Sequence, residues 1–230
     1  AAFAIVYRLL VEGLPGLVED WQQLIIILSV LSMVVGSIVA VVQDNLKRLL
    51  AYSGIGHIGF VLMGFVAANP DGYAAAMFYM IVYAITGVAG FGMIIALSRT
   101  GNEFDKISDF VGLNARNPWL ALMMLLVMFS MAGIPPFIGF WAKILVIEEV
   151  IRAGFTWLAI IAVIMAVISA FYYLRVVKAM YFDKAEDTTP LEPISSELNW
   201  AVSFVSIAVL VLGLMPSSLI ELCYQSIGLK

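Results

Sequence analysis

The chain has 230 residues, 63% hydrophobic and 12% charged, with 12 Lys and Arg against 16 Asp and Glu; its mean hydropathy is +1.04. Disordered chains are poor in apolar residues and rich in charge, and nucleic-acid binders need a basic face, so both classes are excluded. A single cysteine, Cys223, and a single histidine, His57, exclude a disulfide scaffold, an iron–sulfur cluster and a structural zinc site.

An integral membrane protein remains, and it must cross as helices or as a closed barrel. Long unbroken apolar runs, in place of short alternating segments, select helices. The predicted fold class is therefore all-α, a polytopic transmembrane helix bundle. In chain order the runs are Ala1–Val11, Trp21–Val42, Leu49–Ala68, Tyr73–Leu97, Pro118–Val150, Thr156–Phe182 and Asn199–Leu222. The first has 11 residues, short of the roughly 20 that span a bilayer. It starts without Met or a signal-peptide pattern, and is expected to be a helix cut by the start of the chain. The predicted organisation is a partial transmembrane helix at 1–11, a transmembrane bundle over 21–182, and a final transmembrane helix at 199–222.

Letting each run cross once puts Lys47, Arg48, Arg99, Lys106, Arg116, Arg175, Lys178 and Lys184 on one side. Arg8, Arg152 and Lys230 fall on the other, and Lys143 lies within a crossing. By the positive-inside rule the first side is cytoplasmic, and the C-terminus lies opposite.

The fifth run is too long. Pro118–Val150 has 33 residues, about 50 Å as straight helix, against a hydrocarbon core of about 30 Å. Its middle holds Pro135 and Pro136 between Gly133 and Gly139. Adjacent prolines remove two backbone donors and clash with the preceding turn, so a break near Ile134–Gly139 is predicted. Two crossings joined by a Pro-Pro turn are the alternative, and they weaken the charge tally from 8 against 3 to 7 against 4. Broken helices at membrane depth are tolerated where they are buried in protein or line a wet cavity, and in transporters they mark transport sites.

Lys143 follows the break inside an apolar stretch, where an ammonium costs about 2.5–3.5 kcal/mol or more. It either snorkels to the interface near Arg152 or faces the bundle interior, where burial disfavours the charged form and allows proton exchange. His57 lies ten residues after Lys47, about 15 Å along a helix. It is either a packing histidine among Ser53, Gly54, Gly56 and Gly59 or a proton relay. Lys47 is an anchor or a lining of an internal water path; Arg48 reads as an anchor. Glu148 and Glu149 are expected at the far interface, solvated or paired with Arg152 at i+4 and i+3. Tyr79, Tyr83, Thr86, Ser130, Tyr172 and Tyr173 are hydroxyls at membrane depth; Tyr83, Ser130 and Tyr172 are the candidates for holding water wires. No nucleophile–base pair, metal-ligand set or phosphate loop is visible, so no covalent catalysis is expected of the chain.

Two strings are specific. "DNLKRLLAYSGIGHIGFVLMGF" (Asp44–Phe65) and "MFSMAGIPPFIGFWAKILV" (Met128–Val146) resemble the antiporter-like membrane subunits of respiratory complex I, a family shared with subunits of multisubunit sodium/proton antiporters. The order of runs is similar to the second half of a fourteen-helix subunit, its second inverted repeat. Lys143 where M-type members carry Glu, Ile144 where L-type members carry an acid, and the loop "FDKISDFVGLNARNPWLA" place the resemblance in the N-type branch. The resemblance implies proton translocation without redox chemistry in this chain. FMN, iron–sulfur clusters and quinone would sit in other subunits of a bacterial inner-membrane complex, and the partners would be its other membrane subunits. It implies that Lys143 is the terminal proton carrier on the side opposite the cytoplasm and that His57 belongs to the midplane polar chain. The family's earlier lysines would precede Ala1.

Overall fold

The computed structural model describes residues 2–98, 104–184 and 195–228. Among them the secondary structure is helical: α1 (Ala2–Tyr7), α2 (Val18–Val41), α3 (Leu46–Val66), α4 (Pro70–Leu97), α5 (Leu113–Arg116), α6 (Pro118–Ala132), α7 (Ile138–Arg152), α8 (Thr156–Tyr181), α9 (Ser196–Leu214) and α10 (Ser217–Ser226). Three starts are written by asparagine caps. The Asn45, Asn69 and Asn117 side chains accept the N–H groups of Arg48, Gly72 and Leu120, and Pro70 and Pro118 occupy the first turns of their helices. The cap oxygen satisfies an orphan donor, and proline there loses none.

Five helices are long and apolar enough to cross a membrane: α2 with its preceding turn, α3, α4, α8 and α9. Helices α6 and α7 have 15 residues each, about 22 Å apiece, so neither alone spans a core of about 30 Å. Together they run from one end of the bundle to the other. At one end, the loop before α6 joins the start of α3: Leu46 N–H donates to the Asp105 carbonyl and Ile107 N–H to the Asp44 carbonyl. At the other, Glu149 near the end of α7 lies close enough to Asn69 and Asp71 at the start of α4 to interact with them. The two short helices thus follow one another through the bundle with the break between them.

The last run differs from expectation. Residues 199–222 are not one helix: α9 stops at Leu214, and α10 restarts after Pro216. Proline cannot donate into a continuing ladder, and the new segment folds back against α4. Three of the predicted cytoplasmic charges, Lys106, Arg175 and Lys178, line a shared cleft with Asp44 and Asp183, and the Arg175 guanidinium donates to the Gln43 carbonyl. Ala1, Arg99 and Lys230 lie outside the described residues.

Helix α3 is the interior helix. Burial covers 72% of its apolar window against 33% for α2 and 28% for α9, although it is the least apolar of the five. It packs against α2, α4 and α7, with the Ser29 hydroxyl of α2 donating to the Gly59 carbonyl at 2.7 Å. Helix α8 instead turns Ile160, Val167 and Phe171 outward and keeps Ser169, Tyr172 and Tyr173 inside.

Candidate functional site

The break sets the site. Helix α6 ends at Gly133, whose φ of 83° is left-handed, a conformation open to glycine at little cost. The Gly133 and Ile134 N–H groups both close onto the Phe129 carbonyl, a glycine-terminated helix end. Helix α7 then starts beside the last turns of α6. The Gly139 N–H donates to Ser130 Oγ at 3.1 Å, and a Cβ at Gly139 would overlap the Ser130 carbonyl. Glycine is required there by contact with backbone. Ser130, expected to hold water, thus also braces the break.

One turn further, Lys143 folds back over this end. Its side chain is buried, and Nζ donates to the Met131 carbonyl at 3.1 Å, the Ala132 carbonyl at 2.9 Å and Ser169 Oγ at 3.2 Å. Three acceptors match the three protons of an ammonium. Two are carbonyls of the last turn of α6, the negative end of its dipole. The Phe60 ring centroid lies 5.7 Å from Nζ, within cation–π range. The ammonium therefore faces the bundle interior and does not snorkel.

His57 is buried on α3. Its Nδ1 lies 2.8 Å from the Tyr79 hydroxyl and its Nε2 3.0 Å from the Tyr173 hydroxyl, and the ring stacks on Tyr83 with centroids 4.9 Å apart. A neutral imidazole donates through one nitrogen and accepts at the other, so one phenol donates to the ring and the other accepts from it. Exchange of tautomers reverses both bonds.

His57 and Lys143 line one cavity with Tyr79, Tyr83, Thr86 and Ser130, of about 10 Å³, space for about one water centre. Tyr172 is fully buried beside Tyr173, with ring centroids 4.6 Å apart. Lys47 is half-buried in the first turn of α3 and is not among the residues lining this cavity.

Sequence reasoning missed Ser169 and gave two other participants no specific role. Ser169 holds the third proton of Lys143, although Ser169, Tyr172 and Tyr173 stand at the i, i+3, i+4 spacing of one helix face. Tyr79 and Tyr173 were visible only as generic hydroxyls. Glu149, expected near the far interface as solvated or paired with Arg152, is 4% exposed. It pairs with Arg152 at 2.8 Å, while Glu148 pairs with the same guanidinium at 2.5 Å. Among the described residues no group of three or more His, Cys, Asp or Glu could hold a metal ion.

Among the described residues the structure is thus a bundle of apolar, membrane-spanning-length helices with a glycine-terminated broken helix, a lysine capping the break and a histidine between two phenols, the architecture of a polytopic membrane protein. Residues 1–169 match the family described as NADH:quinone oxidoreductase/Mrp antiporter, TM, and the chain belongs to that family. It is 75% identical over 227 residues to NADH-quinone oxidoreductase subunit N of Hydrogenovibrio crunogenus, covering 99% of this chain and 48% of that protein. The chain thus spans about half the length of the curated relatives it matches. A chain of respiratory complex I from Thermus thermophilus with bound aureothin superposes with a TM-score of 0.76 at 32% identity, over 86% of this chain and 45% of that one. A chain of the Mrp complex from Dietzia sp. shares the fold, with a TM-score of 0.81 at 22% identity over 91% of this chain and 47% of its own length.

Proposed function

We propose that this chain is the exit half of a proton-translocating N-type subunit of bacterial NADH:quinone oxidoreductase. It sits in the inner membrane beside other membrane subunits. NADH oxidation on FMN, electron transfer through iron–sulfur clusters and quinone reduction belong to other subunits; this chain moves protons. The observation that carries the reading is Lys143, a buried cation held by the carbonyls of a broken helix and sharing a water-sized cavity with the only histidine.

The chemistry follows from proton counts. Charged Lys143 fills all three acceptors. Once it gives up a proton, it has two N–H groups for three acceptors, and its lone pair accepts from whichever donor reaches it. His57 passes a proton by taking one on one nitrogen and releasing one from the other. The end with Lys47, Arg48 and Lys106 is cytoplasmic and the C-terminus lies opposite; cysteine labelling of position 106 from the outside overturns this orientation.

Lys143→Arg keeps a charge and a donor set but cannot lose its proton at working pH. NADH-driven proton uptake in inverted vesicles, normalised to assembled complex, should fall as far in Lys143→Arg as in Lys143→Ala. Full pumping by the arginine variant would remove Lys143 from the proton path. The Mrp overlay favours one alternative, a subunit of a sodium/proton antiporter. Purification separates the two: co-isolated flavin and iron–sulfur clusters support the first reading, and Na⁺/H⁺ exchange without NADH supports the second.

A further inference from the structure

The first turns of α7 grip two helix ends. Lys143 bonds the last carbonyls of α6. Trp141, two residues earlier, donates its indole Nε1–H to the Gly213 carbonyl at 3.0 Å. Gly213 lies in the last turn of α9, which stops at Leu214 ahead of Pro216, and the last four carbonyls of a helix have no partner in the ladder. Positions two apart on a helix stand about 200° apart around its axis, so the two grips act on opposite faces of α7. The break is packed between them. A Cβ at Gly213 would overlap the Pro136 carbonyl and the backbone of Phe137 and Ile138, and a Cβ at Gly133 would crowd the Lys143 side chain. No side chain caps the start of α7 at Phe137. These contacts, with the bond from the Gly139 N–H to Ser130, fix where α7 begins.

We propose that Trp141 and Gly213 are positioning residues that hold the broken helix in place, against the end of α9, while Lys143 loses and regains its proton. The brace rests on the function proposed above. The grip on α6 weakens whenever Lys143 is neutral, because one of its three donors and the charge that strengthens the other two are gone. The grip on α9 is untouched, since an indole N–H and a glycine carbonyl do not titrate. Helix α9 is thus the fixed support against which Lys143 can release a carbonyl of α6 without the start of α7 drifting from it. Trp141 handles no proton itself and acts through the placement of Lys143. Loss of one neutral hydrogen bond shifts such a balance by about fivefold, whereas a methyl at Gly213 pushes the break off its support.

The test uses inverted vesicles containing the whole complex. Trp141→Phe keeps an aromatic ring and removes the N–H. Gly213→Ala drives a methyl into the backbone of the break. Gly87→Ala on α4, where an added Cβ meets nothing within 4 Å, is the control. NADH-driven proton uptake per assembled complex should fall in part in Trp141→Phe, fall as far as in Lys143→Ala in Gly213→Ala, and stay at the wild-type level in Gly87→Ala. In the Lys143→Ala background, Trp141→Phe should cost no further uptake, because it acts through Lys143. Full uptake per assembled complex in Trp141→Phe, with any loss confined to the amount assembled, overturns the brace and leaves a merely structural contact. A further loss on top of Lys143→Ala overturns it too. If Gly213→Ala does not assemble, the two Trp141→Phe measurements decide. If Lys143→Ala itself pumps normally, the proposed function fails as well; if Lys143→Ala is impaired and Trp141→Phe is not, only the brace fails.

Discussion

Helices α3 and α6–α7 each bury one basic side chain in the bundle, His57 and Lys143, and they satisfy it in opposite ways. On α3 the helix is continuous, so its backbone groups are consumed by the ladder. His57 finds its partners on other helices, the Tyr79 hydroxyl of α4 and the Tyr173 hydroxyl of α8. On α6–α7 the ladder is interrupted, and Lys143 bonds the carbonyls freed by the break. A neutral ring needs one donor and one acceptor, which two phenols provide. A cation needs several acceptors in a dry place, and a helix C-terminus is a cheap source of them. The difference assigns two kinds of fragility. The lysine site depends on backbone geometry, and the histidine site on side chains from three helices.

Substitutions can break that contrast at graded cost. The largest effect is expected from Gly139→Ala. Its Cβ meets backbone that cannot yield, so the two halves must separate, at about 1–3 kcal/mol or more. Assembled complex in the membrane should drop sharply on native gels. Next is Ser130→Ala, which leaves the buried Gly139 N–H without its acceptor and costs about 1–3 kcal/mol; thermal denaturation of the purified complex measures it. Tyr79→Phe removes one of two partners of His57 while keeping the ring, for about 1 kcal/mol, and should lower the denaturation temperature less than Ser130→Ala. A reversed order would mean that the break is the more adaptable region. The smallest effect is expected from Phe204→Leu on α9, 74% exposed toward the outside of the bundle, within about 0.5 kcal/mol of neutral.

Much of this was legible in the sequence because membranes simplify the code. Run length located α2, α3, α4 and α8, and the excess length of 118–150 with Pro135 and Pro136 located the break. The last run shows the limit. Pro216 sat inside an apolar stretch of ordinary length, so nothing in the run length exposed the split between α9 and α10. Glu149 shows another: its distance along the helix pointed to the interface, but the fold buries it.

The sequence by itself determined the helical class, most of the long apolar helices and the interrupted helix. These follow from composition, length and proline chemistry, which act along the chain. The tertiary structure decided where the ammonium points, which phenols flank the imidazole and that Ser169 receives the third proton. Those outcomes rest on contacts between residues such as His57 and Tyr173, which are 116 positions apart. Helical periodicity orders side chains around one axis, and only the packing of α3, α4, α7 and α8 brings the polar faces to a common centre.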